Sequence, residues 1–151
     1  MEKITLSIYV PCFNEENNIV NTLNNIKEGV QQISYEVLVV DDASKDKTIE
    51  MVEKFQKNNP DINIKILRNE NNRGIGFNYR ATAHRALGKY YMMITGDAPE
   101  ISGDIKKIVN NIGKADMILC YLNDKRRIER RTLSRVFVFI VNVRIKSVFL
   151  T

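Results

Sequence analysis

The amino-acid sequence predicts an α/β fold, a Rossmann-like three-layer α/β/α arrangement around a mainly parallel sheet. Short apolar runs of strand length alternate along the chain with longer segments whose apolar residues recur at spacings of three and four. Parallel neighbouring strands need crossover connections, and helices of this length supply them. The 151 residues, 44% of them hydrophobic, are sufficient for one such domain with its own core.

The first strand is expected over residues 4–10, where apolar and polar residues alternate. Proline lacks a backbone N–H and should not extend a central strand, so we expect this strand to stop before Pro11. The next segment predicts a helix with one apolar face and with Gly29 near its end. That face comprises Ile19, Leu23, Ile26 and Val30.

Residues 35–42 read YEVLVVDD, and an apolar run that ends in two carboxylates predicts a second strand covered on both faces. A second helix should follow, with Ser44 or Asp46 capping its exposed N–H groups. Its apolar residues are Ile49, Val52 and Phe55. The remaining predicted elements are strands at 62–69, 89–97 and 116–122, a helix near 77–87 closed by Gly88, and a helix at 102–113.

The positive charge of the chain is concentrated near its carboxyl end. Residues 1–122 carry 15 Lys and Arg against 16 Asp and Glu, whereas residues 123–151 carry 8 against 2. We therefore expect a near-neutral body and a basic, partly apolar tail that meets lipid head groups, phosphates or another anion. A solvated charged face explains the same charges, and the apolar part fits either an interfacial amphipathic helix or a core helix. Nucleic-acid binding is disfavoured, because no aromatic stacking platform stands out.

Neither the cysteines nor the single histidine indicates a catalytic or metal site. Cys12 and Cys120 are far apart and match no metal or redox spacing, and the amino terminus does not resemble a secretion signal. A reduced, cytoplasmic protein is therefore expected. His84 falls within a predicted helix and is interpreted as structural or exposed rather than as a base.

Acidic residues follow three of the predicted strands, in the segments 10–17, 41–48 and 95–100. Ligands bind beyond the carboxyl ends of the strands in open parallel sheets, and clustered carboxylates repel one another unless cations or hydrogen-bond donors compensate. Mg²⁺ or Mn²⁺ together with a nucleoside diphosphate would resolve that repulsion. Each Asp taken singly is also explained as a cap or turn residue. The loop 71–76, with Arg73 and two glycines, fits either a diphosphate contact or a plain loop.

These segments resemble the family 2 glycosyltransferases with the GT-A fold, and most closely the branch of dolichyl-phosphate mannose synthases and related polyprenyl-phosphate glycosyltransferases. The resemblance rests on YVPCFNEENNI, YEVLVVDDASKDKT and RNENNRGIGFNYRATAHRALGKYYMMITGD. It implies that Pro11, Phe13 and Glu15 border the nucleoside, with Glu15 near the ribose. It further implies that Asp42 contacts the base and that Asp41 supports this wall.

The family's Asp-x-Asp turn, which holds a divalent metal on the nucleotide diphosphate, corresponds to the turn that begins at Asp97. Here the third position is Pro99, which offers no carboxylate, and Glu100 is the candidate to supply the missing oxygen. The resemblance therefore implies Mg²⁺ or Mn²⁺ at Asp97, and either Glu100 supplies the second oxygen, directly or through water, or Asp97 acts alone. Arg73 is the candidate for the diphosphate.

The resemblance also implies sugar transfer with inversion from a nucleotide-diphosphate sugar to an acceptor, either polyprenyl phosphate or a saccharide hydroxyl. Arg127 and Arg131, within a basic cluster that includes Arg126 and Arg130, would bind an acceptor phosphate. A non-catalytic nucleotide-binding module is the competing hypothesis. Residues 1–122 would form the nucleotide-sugar-binding domain. Residues 123–151 would form an acceptor-side or membrane-interface segment that ends as if truncated.

Overall fold

A computed structural model describes residues 3–97 and 102–118. Strands and helices alternate through this part of the chain. They are β1 (Leu6–Cys12), α1 (Ile19–Gly29), β2 (Tyr35–Asp41), α2 (Thr48–Asn58), β3 (Asn63–Arg68), α3 (Ile75–Ala83), β4 (Tyr90–Met93) and α4 (Ser102–Val109). The strands form one parallel sheet in the order β3-β2-β1-β4. The predicted α/β fold with a mainly parallel sheet is confirmed.

Helices cover both faces of this sheet. On one face, α1, α2 and α4 bury their apolar residues against the strands in a single cluster. The apolar residues predicted for α1 and α2 are all buried, and all of them except Ile49 belong to that cluster. On the other face α3 packs against β1, and the ring of Tyr79 meets that of Tyr9 edge to face at 6.1 Å. The three predicted layers therefore form around the central strands β1 and β2, which are buried on both faces.

The direction of winding changes beside β1. The chain adds β2 and β3 on one side of β1 and then crosses over to add β4 on the other side. In open parallel sheets such a switch leaves a crevice beyond the carboxyl ends of the flanking strands, because the loops that follow them diverge. The loops after β1 and β4 are therefore positioned to form a binding site.

The expectation that the first strand stops before Pro11 is wrong, since β1 runs through Pro11 to Cys12 and remains paired with β2. The carbonyl of Pro11 accepts the N–H of Gly96, at 3.1 Å, on the side of β4. The missing N–H of the proline also faces that side, because both polar groups of a strand residue point to the same neighbour. The regular pairing with β4 has ended by then, so proline interrupts no bond to β2.

Two helices end earlier than the sequence predicts. The third begins at Ile75 rather than near residue 77 and ends at Ala83, so Gly88 does not close it, and α4 ends at Val109. His84 follows α3 and is exposed, as expected. Residues 116–118 are not in a strand, and the rest of the predicted strand 116–122 lies outside the described residues, as does the tail 123–151. No helix in the described part of the chain is long and apolar enough to cross a membrane.

Glu36 in β2 ties the segment before β4 to the centre of the sheet. Its side chain is fully buried. Oε1 accepts hydrogen bonds from Ser7 Oγ at 2.6 Å and from Leu87 N at 2.7 Å, and Oε2 accepts one from Lys65 Nζ at 2.8 Å. Burial by itself would raise the pKa of Glu36, but these hydrogen bonds and the charge of Lys65 outweigh it and hold the pKa below its ordinary value. Glu36 is therefore an ionised structural anchor.

We expect Glu36→Gln to lower the free energy of unfolding by about 2–4 kcal/mol, because the amide leaves buried donors poorly matched. The lowered pKa means that ionised Glu36 stabilises the fold above the unfolded value of about 4.3, and that this contribution is lost as pH falls through the folded pKa. Urea unfolding from about pH 7 to about pH 3 should therefore show a shallower loss of stability for the variant. The exposed Glu53→Gln is the control, and equal stability of both variants at neutral pH would contradict the prediction.

Candidate functional site

A cleft of about 290 Å³ opens at the carboxyl edge of the sheet, at the switch point between β1 and β4. Loops after β1, β2, β3 and β4 all contribute to its wall. The lining residues are Pro11, Cys12, Phe13, Glu15, Asp42, Asn72, Gly74, Ile75, Asn78, Thr95, Gly96 and Asp97. The structure thus brings together five of the residues predicted for the site, namely Pro11, Phe13, Glu15, Asp42 and Asp97.

Two other predicted residues lie beside the cleft without lining it. Asp41 is buried, where its Oδ1 accepts the N–H of Ser44 at 3.1 Å and its Oδ2 lies 3.5 Å from Nε of Arg68. The guanidinium group of Arg73 stacks 3.8 Å above the ring of Phe77. The remaining predicted site residues, Glu100, Arg127 and Arg131, lie outside the described residues, so their placement stays a prediction.

Asp42 fixes the loop that precedes α3. Its Oδ1 accepts hydrogen bonds from Asn69 Nδ2 at 2.7 Å and Arg73 N at 2.8 Å, and its Oδ2 accepts one from Gly74 N at 2.9 Å. Burial would raise the pKa of Asp42, but the hydrogen bonds from Arg73 and Asn69, with smaller contributions from Asn78 and Gly74, hold it below its ordinary value. The cleft therefore contains a buried carboxylate that stays ionised and can only accept hydrogen bonds.

The loops after β1 and β2 fasten each other by exchanging side-chain and backbone groups. Ser44 Oγ accepts the N–H of Asn14 at 2.9 Å, and Asn14 Oδ1 accepts the N–H of Lys45 at 2.9 Å. The same exchange recurs with Glu16, whose carboxylate accepts the N–H of Lys47 at 2.9 Å and whose own N–H donates to Asp46 at 3.0 Å. These contacts hold the wall that carries Phe13 and Glu15.

Neither predicted residue is the N-cap of α2, since that position is Lys47 and makes no side-chain cap hydrogen bond, although the preceding residue, Asp46, accepts a helix N–H. Asp46 Oδ1 accepts the N–H of Thr48, the first residue of the helix, at 3.0 Å, whereas Ser44 is engaged with Asn14. Burial would raise the pKa of Asp46, but the hydrogen bonds from Thr48 and Glu16 hold it below its ordinary value. Asp46 is therefore a structural carboxylate rather than a ligand-binding one.

Asp97 and Glu15 are the cleft carboxylates with free capacity. Asp97 is exposed, and within the described residues its side chain has no hydrogen-bond or ion-pair partner. The Glu15 carboxylate accepts one hydrogen bond, from Asn18 Nδ2 at 2.9 Å. Residues 3–97 and 102–118 contain no group of three acidic, cysteine or histidine side chains that could hold a metal ion. A hard divalent ion on a nucleotide needs no such group, because one or two carboxylates and the phosphates suffice.

Sequence reasoning missed several residues that shape the cleft. Asn69, Asn72 and Asn78 lie around Asp42. Asn69 and Asn72 belong to a run of amides after β3 that resembles an ordinary polar loop, and Asn78 lies in α3. Gly96 also went unremarked. A Cβ there would lie 2.8 Å from the carbonyl oxygen of Pro11, so only glycine lets the turn after β4 approach β1 this closely. Thr22 of α1 donates a hydrogen bond to the Gly96 carbonyl at 3.0 Å and holds the turn there.

Comparison with known proteins shows one family and one fold. The family model for glycosyl transferase family 2 matches residues 7–146. The chain is 29% identical over 150 residues to a dolichyl-phosphate beta-glucosyltransferase of Dictyostelium discoideum. This alignment covers 89% of this chain and 46% of the relative. It is 33% identical over 93 residues to TarS of Staphylococcus aureus, a poly(ribitol-phosphate) beta-N-acetylglucosaminyltransferase, over 60% of this chain and 16% of that protein.

The solved structures that share the fold include two sugar-nucleotide complexes. The mannosyltransferase PcManGT from Pyrobaculum calidifontis, in complex with GDP-Man and Mn²⁺, aligns with a TM-score of 0.62 at 25% identity, over 74% of this chain and 33% of that one. Residues 1–349 of Staphylococcus aureus TarS, in complex with UDP-GlcNAc, align with a TM-score of 0.61 at 28% identity, over 74% of this chain and 32% of that one. The chain therefore spans less than half the length of each of these proteins.

We expect Gly96→Ala to lower the free energy of unfolding by about 1–3 kcal/mol, because the added methyl group would overlap the Pro11 carbonyl and approach Cys12 Sγ. Gly76→Ala in α3 is the matched control, since no atom lies within 4 Å of its Cβ position and alanine favours a helix. Urea denaturation of both variants measures the difference. A Gly96→Ala variant as stable as Gly76→Ala would refute the close approach.

Proposed function

This chain belongs to glycosyl transferase family 2, and on that premise we propose that it transfers a sugar from a nucleoside-diphosphate sugar to an acceptor. Its fold is the GT-A fold of the solved structures described above. The observation that carries the proposal is the cleft at the switch point. Phe13, Glu15 and Asp42 line this cleft together with Asp97, whose carboxylate has no partner among the described residues. This arrangement suits a ligand with a base at one end and a metal-bound diphosphate at the other.

At the nucleoside end, Pro11 and Phe13 border the base, and Phe13 is 48% exposed and therefore accessible to a ligand. The Glu15 carboxylate, which has acceptor capacity left, receives hydrogen bonds from the ribose hydroxyls. Asp42 contacts the base and Asp41 supports it from behind. Arg73 lies in the loop before α3, beside the cleft, and we propose that its guanidinium group leaves the Phe77 ring to bind the diphosphate.

At the diphosphate end, Asp97 and Glu100 hold Mg²⁺ or Mn²⁺. Glycosyl transfer develops positive charge at the anomeric carbon and negative charge on the departing diphosphate, which a divalent ion stabilises. The exposed, unengaged carboxylate of Asp97 fits this role, because hard cations prefer carboxylate and phosphate oxygens. The Mn²⁺ and GDP-Man bound to the Pyrobaculum enzyme support a metal in this family.

Polyprenyl phosphate is the acceptor that we favour. An acceptor phosphate is already an anion and attacks without a protein base, which accords with the lack of an assigned base in the described cleft. Arg127 and Arg131 bind that phosphate, and the basic, partly apolar tail contacts the cytoplasmic face of the membrane. The Dictyostelium relative, named for dolichyl phosphate, supports this choice. Transfer inverts the anomeric carbon.

A saccharide or polyol hydroxyl is the second candidate acceptor, and the similarity to TarS favours it. A hydroxyl acceptor needs a general base to remove its proton. Incubation of the chain with nucleotide sugars, Mn²⁺ and either acceptor separates the two possibilities by the product formed. Glycosylated polyprenyl phosphate is the expected product. If nucleotide affinity is the same with and without Mn²⁺, and neither acceptor yields a product, the chain is a non-catalytic nucleotide-binding module instead.

We expect Asp97→Asn to weaken nucleoside-diphosphate binding in Mn²⁺ by about tenfold or more, because the neutral amide is a poor ligand for a hard cation. Affinity without metal should change far less. Calorimetric titration with and without Mn²⁺ gives both values, and Glu100→Gln tests the second proposed ligand in the same way. Asp104→Asn is the control, since Asp104 pairs with Lys107 on α4 and does not line the cleft. Wild-type metal dependence in Asp97→Asn would exclude this metal assignment.

We expect Arg127→Ala and Arg131→Ala each to raise KM for polyprenyl phosphate by about tenfold or more, because a guanidinium–phosphate hydrogen bond is charge-assisted. Nucleotide affinity should stay at the wild-type value. Initial rates at varied acceptor and fixed donor concentration measure the effect. The exposed Arg85→Ala serves as the control for removal of positive charge. An unchanged KM in both variants would remove these arginines from the acceptor site.

A further inference from the structure

Asp97 takes its position from the residue before it. Its carboxylate has no hydrogen-bond or ion-pair partner in the part of the chain that the structure describes, so the backbone that carries it decides where it lies. The Gly96 carbonyl, which belongs to the peptide group shared with Asp97, accepts a hydrogen bond from Thr22 Oγ1 at 3.0 Å. The Gly96 N–H donates to the Pro11 carbonyl at 3.1 Å. Gly96 is therefore held through both of its peptide groups, by α1 and by β1.

Thr22 is a polar residue on an otherwise apolar face. It is 1% exposed and shares the buried face of α1 with Leu23 and Ile26. A threonine hydroxyl within a helix can bond back to the carbonyl four residues earlier, which here is that of Asn18. The hydroxyl donates instead to Gly96, 74 residues away in sequence. A buried hydroxyl is costly without such a bond, and valine would have the same shape without that cost. The bond to the turn after β4 is therefore what threonine adds at this position.

The start of α1 is also tied to Glu15, the other cleft carboxylate with acceptor capacity left. The Glu15 carbonyl accepts the N–H of Asn18 at 3.0 Å, and the Asn18 carbonyl accepts the N–H of Thr22 at 3.1 Å. A Cβ at Gly96 would lie 3.5 Å from Glu15 Cγ, which is ordinary van der Waals contact. The first turn of α1 therefore sets the spacing between Glu15 and the turn after β4.

We propose that Thr22 is a positioning residue for the metal end of the cleft, an inference that rests on the proposed function. Its hydrogen bond fixes the Gly96–Asp97 peptide group and so holds the Asp97 carboxylate in register with Glu15. A nucleoside diphosphate then meets Glu15 with its ribose and Asp97 with its bound metal ion at the same time. Binding at two ends requires that both be held closely to their productive positions. Loss of the hydrogen bond therefore weakens metal-dependent binding and leaves metal-free binding largely unchanged.

Calorimetric titration of the 151-residue Thr22→Val chain with UDP and with GDP, each with and without Mn²⁺, tests the inference. Valine keeps the shape of threonine but leaves the Gly96 carbonyl without its donor. We expect the factor by which Mn²⁺ strengthens nucleotide binding to fall about fivefold or more, while the affinity without metal stays within about twofold of wild type. Thr22→Ser keeps the hydroxyl and should restore the wild-type factor.

Thr82→Val is the matched control. Thr82 is also a buried helical threonine, its side chain bonds to Tyr91, and it does not line the cleft. This variant loses a buried hydroxyl in the same way and should keep the wild-type Mn²⁺ factor. If Thr22→Val does not fold, Thr22→Cys decides, because a thiol of similar size is a weaker donor and should give an intermediate factor.

The outcomes separate the inference from the proposed function. If Mn²⁺ strengthens nucleotide binding to the wild-type chain and the folded Thr22 variants keep the full factor, the inference is overturned and the metal assignment stands. Equal losses with and without metal in Thr22→Val overturn the inference as well, since they indicate general damage to the cleft. If Mn²⁺ has no effect on the wild-type chain, the metal assignment at Asp97 is overturned and the inference falls with it.

Discussion

The cleft depends on carboxylates that accept backbone N–H groups from loops about thirty residues away in sequence. Asp42 receives N–H groups from the loop before α3, and Asp46 and Glu16 receive them across the loops after β1 and β2. A loop at the edge of a sheet has no ladder partners for its amides, and a buried amide without a partner is costly. Each carboxylate therefore accepts hydrogen bonds from such amides. The amide dipoles in turn offset the free-energy cost of burying the charged carboxylate. Charge and dipole contacts, rather than apolar packing, give this end of the molecule its shape.

Most of the fold follows from local patterns in the sequence. Alternating and continuous apolar runs located β1 to β4, and the spacing of Ile19, Leu23 and Ile26 located α1, because burial on one face leaves a periodic trace. The predictions fail where a contact with a residue distant in sequence determines where a strand or helix ends. β1 continues through Pro11 because its missing donor faces the side where pairing with β4 has stopped. The third helix ends early because the backbone at Leu87 turns to meet Glu36 in the sheet.

The position of the site was predictable from the sequence, but the roles of its individual carboxylates were less so. Strand ends on one edge of a parallel sheet converge, so Glu15, Asp42 and Asp97 had to come near one another. Local sequence does not reveal which carboxylates are already occupied, because the donors to Asp42 and Asp46 come from other loops. The amides near Asp42 carried little signal for the same reason, since asparagine is common in any polar loop. Counting donors around each acid separates structural anchors from groups with capacity left.

The hydrogen bonds that the protein donates to Asp42 also affect the rate at which a nucleotide binds. Because the loop before α3 is already tied down by Arg73 and Gly74, the base end of the cleft does not have to assemble around an incoming nucleotide. Nucleotide binding at this end avoids the entropy cost of ordering a loop. It also does not require a closed conformation of the cleft to open first. The rate of capture should then follow diffusion and orientation. Differences in affinity between nucleotides should arise in their residence times, as is usual for preorganised sites.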